Sequence, residues 1–184
     1  MKKIIVVLIL CVAFVATLLS CNKENEPKHP IEKYSLELTL PTDSTRWHNS
    51  NWSASKNDFI DNLPEKITFE NFRVVSKNDK GIKGKCEYEK LDAEFVFLFK
   101  KEAHYIGYTD NGQQVYEDVY DENSGNIEIN VNNTNTIFDI YFETSISFTN
   151  GFAFVSNFSS PVRVGKYYTY LNPNEVVLYS NNKK

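Results

Sequence analysis

The sequence predicts an all-β fold, an antiparallel meander closed as a barrel or stacked as a two-sheet sandwich. Three observations predict it. Apolar and polar residues alternate with period two in run after run. Turn residues interrupt those runs every 8–12 positions. No strand–helix–strand rhythm appears, and at most one short helical turn is expected.

The first run, "YSLELTL", puts Tyr34, Leu36, Leu38 and Leu40 on one face and Ser35, Glu37 and Thr39 on the other. A helical turn is expected next. Ser55 and Asp58 resemble a capping box, Phe59 and Leu63 are four apart, and Pro64 stops the run. "ITFENFRVV" and "CEYEK" follow as strands, the second with Cys86 and Tyr88 on one face. "EFVFLFK" is nearly all apolar, which suits a strand covered on both faces. "HYIGYT" and "QVYEDVY" flank Asp110-Asn111-Gly112, a tight-hairpin signal. "NIEINVN", "TIFDIYF", "SISFT", "GFAFVS", "KYYTYL" and "EVVLYS" complete the set. Lys80-Gly81, Asn123-Ser124-Gly125-Asn126, Asn150-Gly151 and Asn172-Pro173-Asn174 read as the turns between strands. In "KYYTYL", Tyr168 and Tyr170 share a face, opposite Tyr167, Thr169 and Leu171.

The amino terminus has a different character. Lys2 and Lys3 precede an apolar run, Ile4 to Ala16, that continues through Leu18 and Leu19. It is shorter than the roughly 20 residues a spanning helix needs and has the flanks of a secretory signal. Its end, Leu18-Leu19-Ser20-Cys21, resembles the lipobox of bacterial lipoproteins. The resemblance implies that Cys21 carries a diacylglycerol, that residues 1–20 are removed, and that the new amine is acylated. Two or more acyl chains hold a protein stably to a bilayer where one does not. Asn22 stands where an inner-membrane retention aspartate would stand, so the resemblance implies the outer membrane, facing the periplasm or the cell surface. The charged "KENE" of Lys23–Glu26 is similar to tethers that precede surface export. The expected organisation is therefore a signal peptide over 1–20, a lipidated tether over 21–33 and a single β-domain over 34–184.

Charge and chemistry narrow the function. The chain has 20 Lys and Arg against 24 Asp and Glu; without Lys2 and Lys3 it has 18 against 24, a net charge of −6. That is the wrong sign for nucleic acid or for electrostatic capture by anionic lipid. Cys11 leaves with the signal and Cys21 is the lipid site, so Cys86 stands alone in the domain and is read as a buried, inert thiol. His29, assigned to the tether, His48 and His104 do not make a metal-ligand spacing. Glu117, Asp118, Asp121 and Glu122 in "YEDVYDENSGN" fail the EF-hand pattern and read as a solvated hairpin tip. No nucleophile elbow, P-loop or dinucleotide fingerprint is present. Neither an enzyme nor a cofactor is expected.

The aromatic residues are the best lead. "STRWHNSNW" gathers Arg46, Trp47, His48 and Trp52 between amide side chains, a composition suited to sugar or peptide ligands. The tether, an early tryptophan (Trp47 or Trp52), successive hairpins and the final "EVVLYS" strand also resemble the lipocalin-like domains of small bacterial lipoproteins. The usual Gly-x-Trp entry is replaced by Thr45-Arg46-Trp47. The sequence thus leads to a lipid-anchored, non-catalytic binding module for a glycan, peptide or small apolar ligand. The other reading is an accessory lipoprotein that works by protein–protein contact.

Overall fold

The computed structural model describes residues 28–49, 63–131, 139–157 and 161–181. They form one antiparallel sheet of eleven strands curled into a half-barrel. Three short 3-10 turns, and no α-helix, accompany it among the described residues. The strands are β1 Tyr34–Thr39, β2 His48–Asn49, β3 Lys66–Asn78, β4 Gly81–Tyr88, β5 Leu91–Tyr108, β6 Gln114–Val131, β7 Ile140–Thr149, β8 Phe152–Asn157, β9 Pro161–Val164, β10 Tyr167–Tyr170 and β11 Val176–Ser180. The hydrogen-bonded order is β11-β1-β3-β4-β5-β6-β7-β9-β10-β2, with β8 beside β7. Trp52, Cys21 and the expected helical turn from Ser55 lie outside the described residues.

The centre, β3 to β7, is the expected meander. The ends are not. β1 and β2 are consecutive in the chain yet lie almost at opposite ends of the strand order, β1 being next to last at one end and β2 last at the other. So do β10 and β11, which only Leu171–Glu175 connects. Such a link reaches about 22 Å at most. A flat sheet of this width is therefore impossible, and the strands must curl until the two ends approach.

Alternation sorts the side chains as the sequence predicts. Tyr34, Leu36 and Leu38 of β1 are buried, as are Ile127, Ile129 and Val131 of β6 and Ile140 and Phe142 of β7. In β3 the pattern skips, since Phe69 and Phe72 are both buried. A bulge between Glu70 and Arg73, with Asn71 at a φ of 54°, inserts the residue that re-phases the strand. β5 corrects one expectation. Phe95, Phe97 and Phe99 are buried, but Leu98 is exposed, so the strand is covered on one face only.

The folded body also begins earlier than residue 34. Ile31 is fully buried in the 3-10 turn Pro30–Lys33, and His29 is buried among Phe97, Phe99 and Phe148, with ring centroids 5.1, 6.0 and 5.5 Å away. His29 is thus a core residue rather than part of a solvated tether. Its Nδ1 accepts from the Ile31 N–H at 3.2 Å, so the proton sits on Nε2, which donates to the Glu122 carbonyl at 2.8 Å.

The turns mostly follow the signals. Asn150 and Gly151, at φ of 52° and 80°, join β7 to β8. Asn78 Oδ1 accepts from the Lys80 and Gly81 N–H groups, both at 2.9 Å, and closes β3 onto β4. The β4–β5 turn carries no such signal: Glu89 and Lys90 take φ of 49° and 67°. "NSGN" is not a turn. It lies inside β6, where the ladder with β5 shifts between the Phe99–Gly125 and Lys100–Asp121 pairs. Gly125 is needed there because a Cβ would meet the Leu98 carbonyl oxygen at 2.0 Å. The acidic "YEDVYDENSGN" is likewise strand, not hairpin tip; the tip is Thr109–Gln113.

Candidate functional site

The predicted cluster of Arg46, Trp47 and His48 is divided three ways. Arg46, in the 3-10 turn Ser44–Arg46, is a clamp. Its Nη1 and Nη2 donate to Glu175 Oε1 and Oε2 at 2.6 and 2.8 Å, and Nη2 also donates to the Tyr170 carbonyl at 2.8 Å. Glu175 in turn accepts from the Asn172 N–H at 2.6 Å. The fork on Arg46 holds the Glu175 carboxyl below the usual carboxylate range.

Trp47 has no face to offer a ligand. It is fully buried, and its Nε1 donates to the Pro41 carbonyl at 2.9 Å. The reason is topological: the chain from β1 to β2 must cross between the sheet's two ends, and the largest apolar side chain of that crossing fills the space beneath it.

His48 alone points outward, and the ladder places it in company. Paired residues on neighbouring strands face the same way. The register therefore gives one outward row across six strands: Glu94, Asn130, Tyr141, Arg163, Tyr168 and His48. The His48 and Tyr168 rings lie 5.4 Å apart, and Tyr168 meets Tyr170 edge-on at 6.2 Å. The Tyr141 hydroxyl donates to Glu143 Oε2 at 3.1 Å. Partial burial, with Glu128 and Glu143 beside it, pushes the Tyr141 phenol up to about 12. It stays protonated and remains a donor.

Along the same face of β6 and β7 lies an open groove of about 440 Å³, lined by Ser124, Asn126, Ser145, Ser147, Ser156 and Lys100 among others. Ser124 Oγ donates to Ser147 Oγ at 3.0 Å and Ser145 Oγ to Asn126 Oδ1 at 2.6 Å. The groove itself offers hydroxyls and amides, and the His48, Tyr168 and Tyr170 rings stand apart from it on the same outward face; both kinds of group suit a polyhydroxylated ligand. Of the residues on this face the sequence singles out His48, Tyr168 and Tyr170. The signal for the others was their outward phase in "SGNIEIN" and "ETSISF", but nothing local says which outward residues become neighbours.

Cys86 offers no reactivity. It is buried, and burial pushes the thiol up to about 12. Among the described residues no three His, Cys, Asp or Glu gather as a metal site, and no helix is long and apolar enough to cross a membrane. Fold and surface together define an all-β half-barrel with an aromatic outer face. No family model matches the chain, and neither a curated protein nor a solved structure shows detectable similarity to it.

Proposed function

We propose that the chain is a cell-envelope lipoprotein, anchored in the outer membrane through Cys21, that binds a glycan without catalysis. The reading of Cys21 rests on the Leu18–Cys21 lipobox. The reading of the ligand rests on one observation: the His48, Tyr168 and Tyr170 rings share an outer face with the serine- and asparagine-lined groove. Aromatic rings stack on the apolar faces of sugars, while the groove offers the donors and acceptors their hydroxyls need.

The test uses the full lipidated chain in detergent and an array of soluble oligosaccharides. Binding of one class, weakened at least tenfold by Tyr168→Ala, is expected. Equal binding by wild type and variant removes the proposed face. Intact mass of the membrane-extracted chain tests the anchor: it should begin at Cys21 with added lipid, and Cys21→Ser should lack that mass.

A second reading, an accessory lipoprotein acting by protein contact, is favoured by a different surface. Phe152 and Phe154 of β8 are exposed side by side, 6.4 Å between ring centroids, on a strand whose other edge has no ladder partner among the described residues.

A further inference from the structure

β5 and β6 are each 18 residues long, and the half-barrel uses only part of them. β4 pairs with β5 no further than Leu98, and β7 pairs with β6 only from Ser124 onward. Beyond those points Lys100–Tyr108 and Gln114–Asp121 pair only with one another among the described residues. At about 3.3 Å per residue they form a two-stranded arm roughly 30 Å long. The ladder shift at Phe99–Lys100 and the close approach at Gly125 mark its root. His29 and Lys77 hold that root through the Glu122 carbonyl and carboxylate.

Isolated two-stranded ribbons are marginal in water. This one is knitted by its own side chains. Tyr105 meets Tyr108 and Tyr116 edge-on at 5.6 and 5.8 Å, and Lys101 pairs with Asp118 at 2.7 Å. Yet Tyr105, Ile106, Tyr108, Tyr116 and Val119 all remain substantially exposed.

The two edges of the arm differ. The β5 edge is broken by a second ladder shift between Tyr105 and Gly107 and carries Lys100 and Lys101. Lysines and bulges are the usual guards against strand addition. The β6 edge from Gln114 to Asp121 has no lysine, proline or glycine, and the unpaired residue of that shift, Ile106, belongs to β5 while Val115 and Tyr116 of β6 stay consecutive. What it has is acid. Residues 100–122 hold two lysines against six carboxylates. Glu117 and Asp121 of β6 have no ion pair among the described residues, whereas Asp118 and Glu122 are paired. A second copy of β6 laid on this edge would set acid against acid.

We propose that the outer edge of β6 between Gln114 and Asp121 is a docking strand for an extended, lysine- or arginine-bearing segment of a partner protein. Main-chain hydrogen bonds supply the pairing, and the exposed Tyr116 and Val119 side chains receive alternate side chains of the added strand. Glu117 and Asp121 select its charge.

The test sets two ten-residue alternating Val/Thr peptides, one bearing lysines and one bearing glutamates at the same positions, against the full chain. The lysine peptide is expected to bind at least tenfold more tightly, to weaken as salt is raised, and to slow amide exchange in Gln114–Asp121. Glu117→Lys with Asp121→Lys should reverse the preference, an outcome that loss of fold cannot mimic. Equal binding of the two peptides, absence of binding to both, an unreversed preference in the double variant, or dimerisation of the chain through the arm would each overturn the proposal.

Discussion

Arg46 and Glu175 lie 129 positions apart in the chain and meet as a two-pronged ion pair at 2.6 and 2.8 Å. Each sits on a link that crosses between the ends of the strand order, Arg46 before β2 and Glu175 before β11. The ion pair thus ties the two links together, and Arg46 also grips the last carbonyl of β10. Arg46→Lys keeps the charge but loses the fork. A loss of about 1 kcal/mol is expected, and about 2 kcal/mol for Arg46→Ala, read from urea unfolding midpoints. The Arg46→Ala, Glu175→Ala pair should cost less than the sum of the single changes. Additive costs would mean that the two side chains do not act together.

Trp47 and Tyr168 should separate stability from binding. Trp47→Ala empties a fully buried site and should cost about 3–5 kcal/mol. Tyr168→Ala touches an outward ring and should shift the melting temperature little while weakening oligosaccharide binding at least tenfold. A Trp47→Phe chain that folds but loses binding, beside an unaffected Tyr168→Ala, would return the site to the tryptophan.

His29 makes stability fall on mild acidification. Burial is the main reason its pKa lies below the ordinary 6.5, opposed by its bond to the Glu122 carbonyl. Above pH 6.5 the ring is neutral in both folded and unfolded chains and contributes no slope. Below pH 6.5 the unfolded chain takes up a proton that the folded chain refuses, so stability drops until the lowered folded pKa is reached. Melting temperatures between pH 7.5 and 5 should show this decline, and His29→Gln should flatten it. An unchanged slope in the variant would assign the effect elsewhere.

Glu89 and Lys90 are the wrong residues for their turn. Both hold left-handed φ angles, 49° and 67°, that asparagine and glycine adopt at little cost. Replacing them with Asn-Gly should stabilise the chain by about 1 kcal/mol, with the β4–β5 pairing unchanged. A destabilised variant would show that the Glu89 or Lys90 side chain contributes more than its backbone costs.

Gly125 should resist substitution for the opposite reason. Its backbone is close to Leu98, and a methyl group there would drive the root of the arm apart. Gly125→Ala should cost about 1–3 kcal/mol and speed amide exchange across the arm before the barrel core.

Period-two patterning placed Leu36, Ile129 and Phe142 inside and put Tyr168 and Tyr170 on one face, which the structure turns outward, because successive side chains on a strand must face opposite ways. "NSGN" misled because glycine and asparagine serve both turns and close backbone approaches, and only the partner strand distinguishes them. His29 misled because it follows a polar stretch, while its burial depends on phenylalanines from β5 and β7.

The sequence by itself determined the fold class, the inward and outward faces of most strands, and the lipobox-like end of the amino-terminal apolar run. Those are local properties, set by alternation and by the order of residue types. Tertiary structure alone decided that Arg46, Trp47 and His48, three consecutive residues, become a clamp, a core plug and a surface ring. It also decided that β5 and β6 outrun their neighbours to leave an arm. Both outcomes depend on which strand pairs with which, and in what register, across more than a hundred residues. Hydrophobic periodicity is nearly the same for every strand here, so it cannot choose among partners. The short links that cross the sheet's ends do.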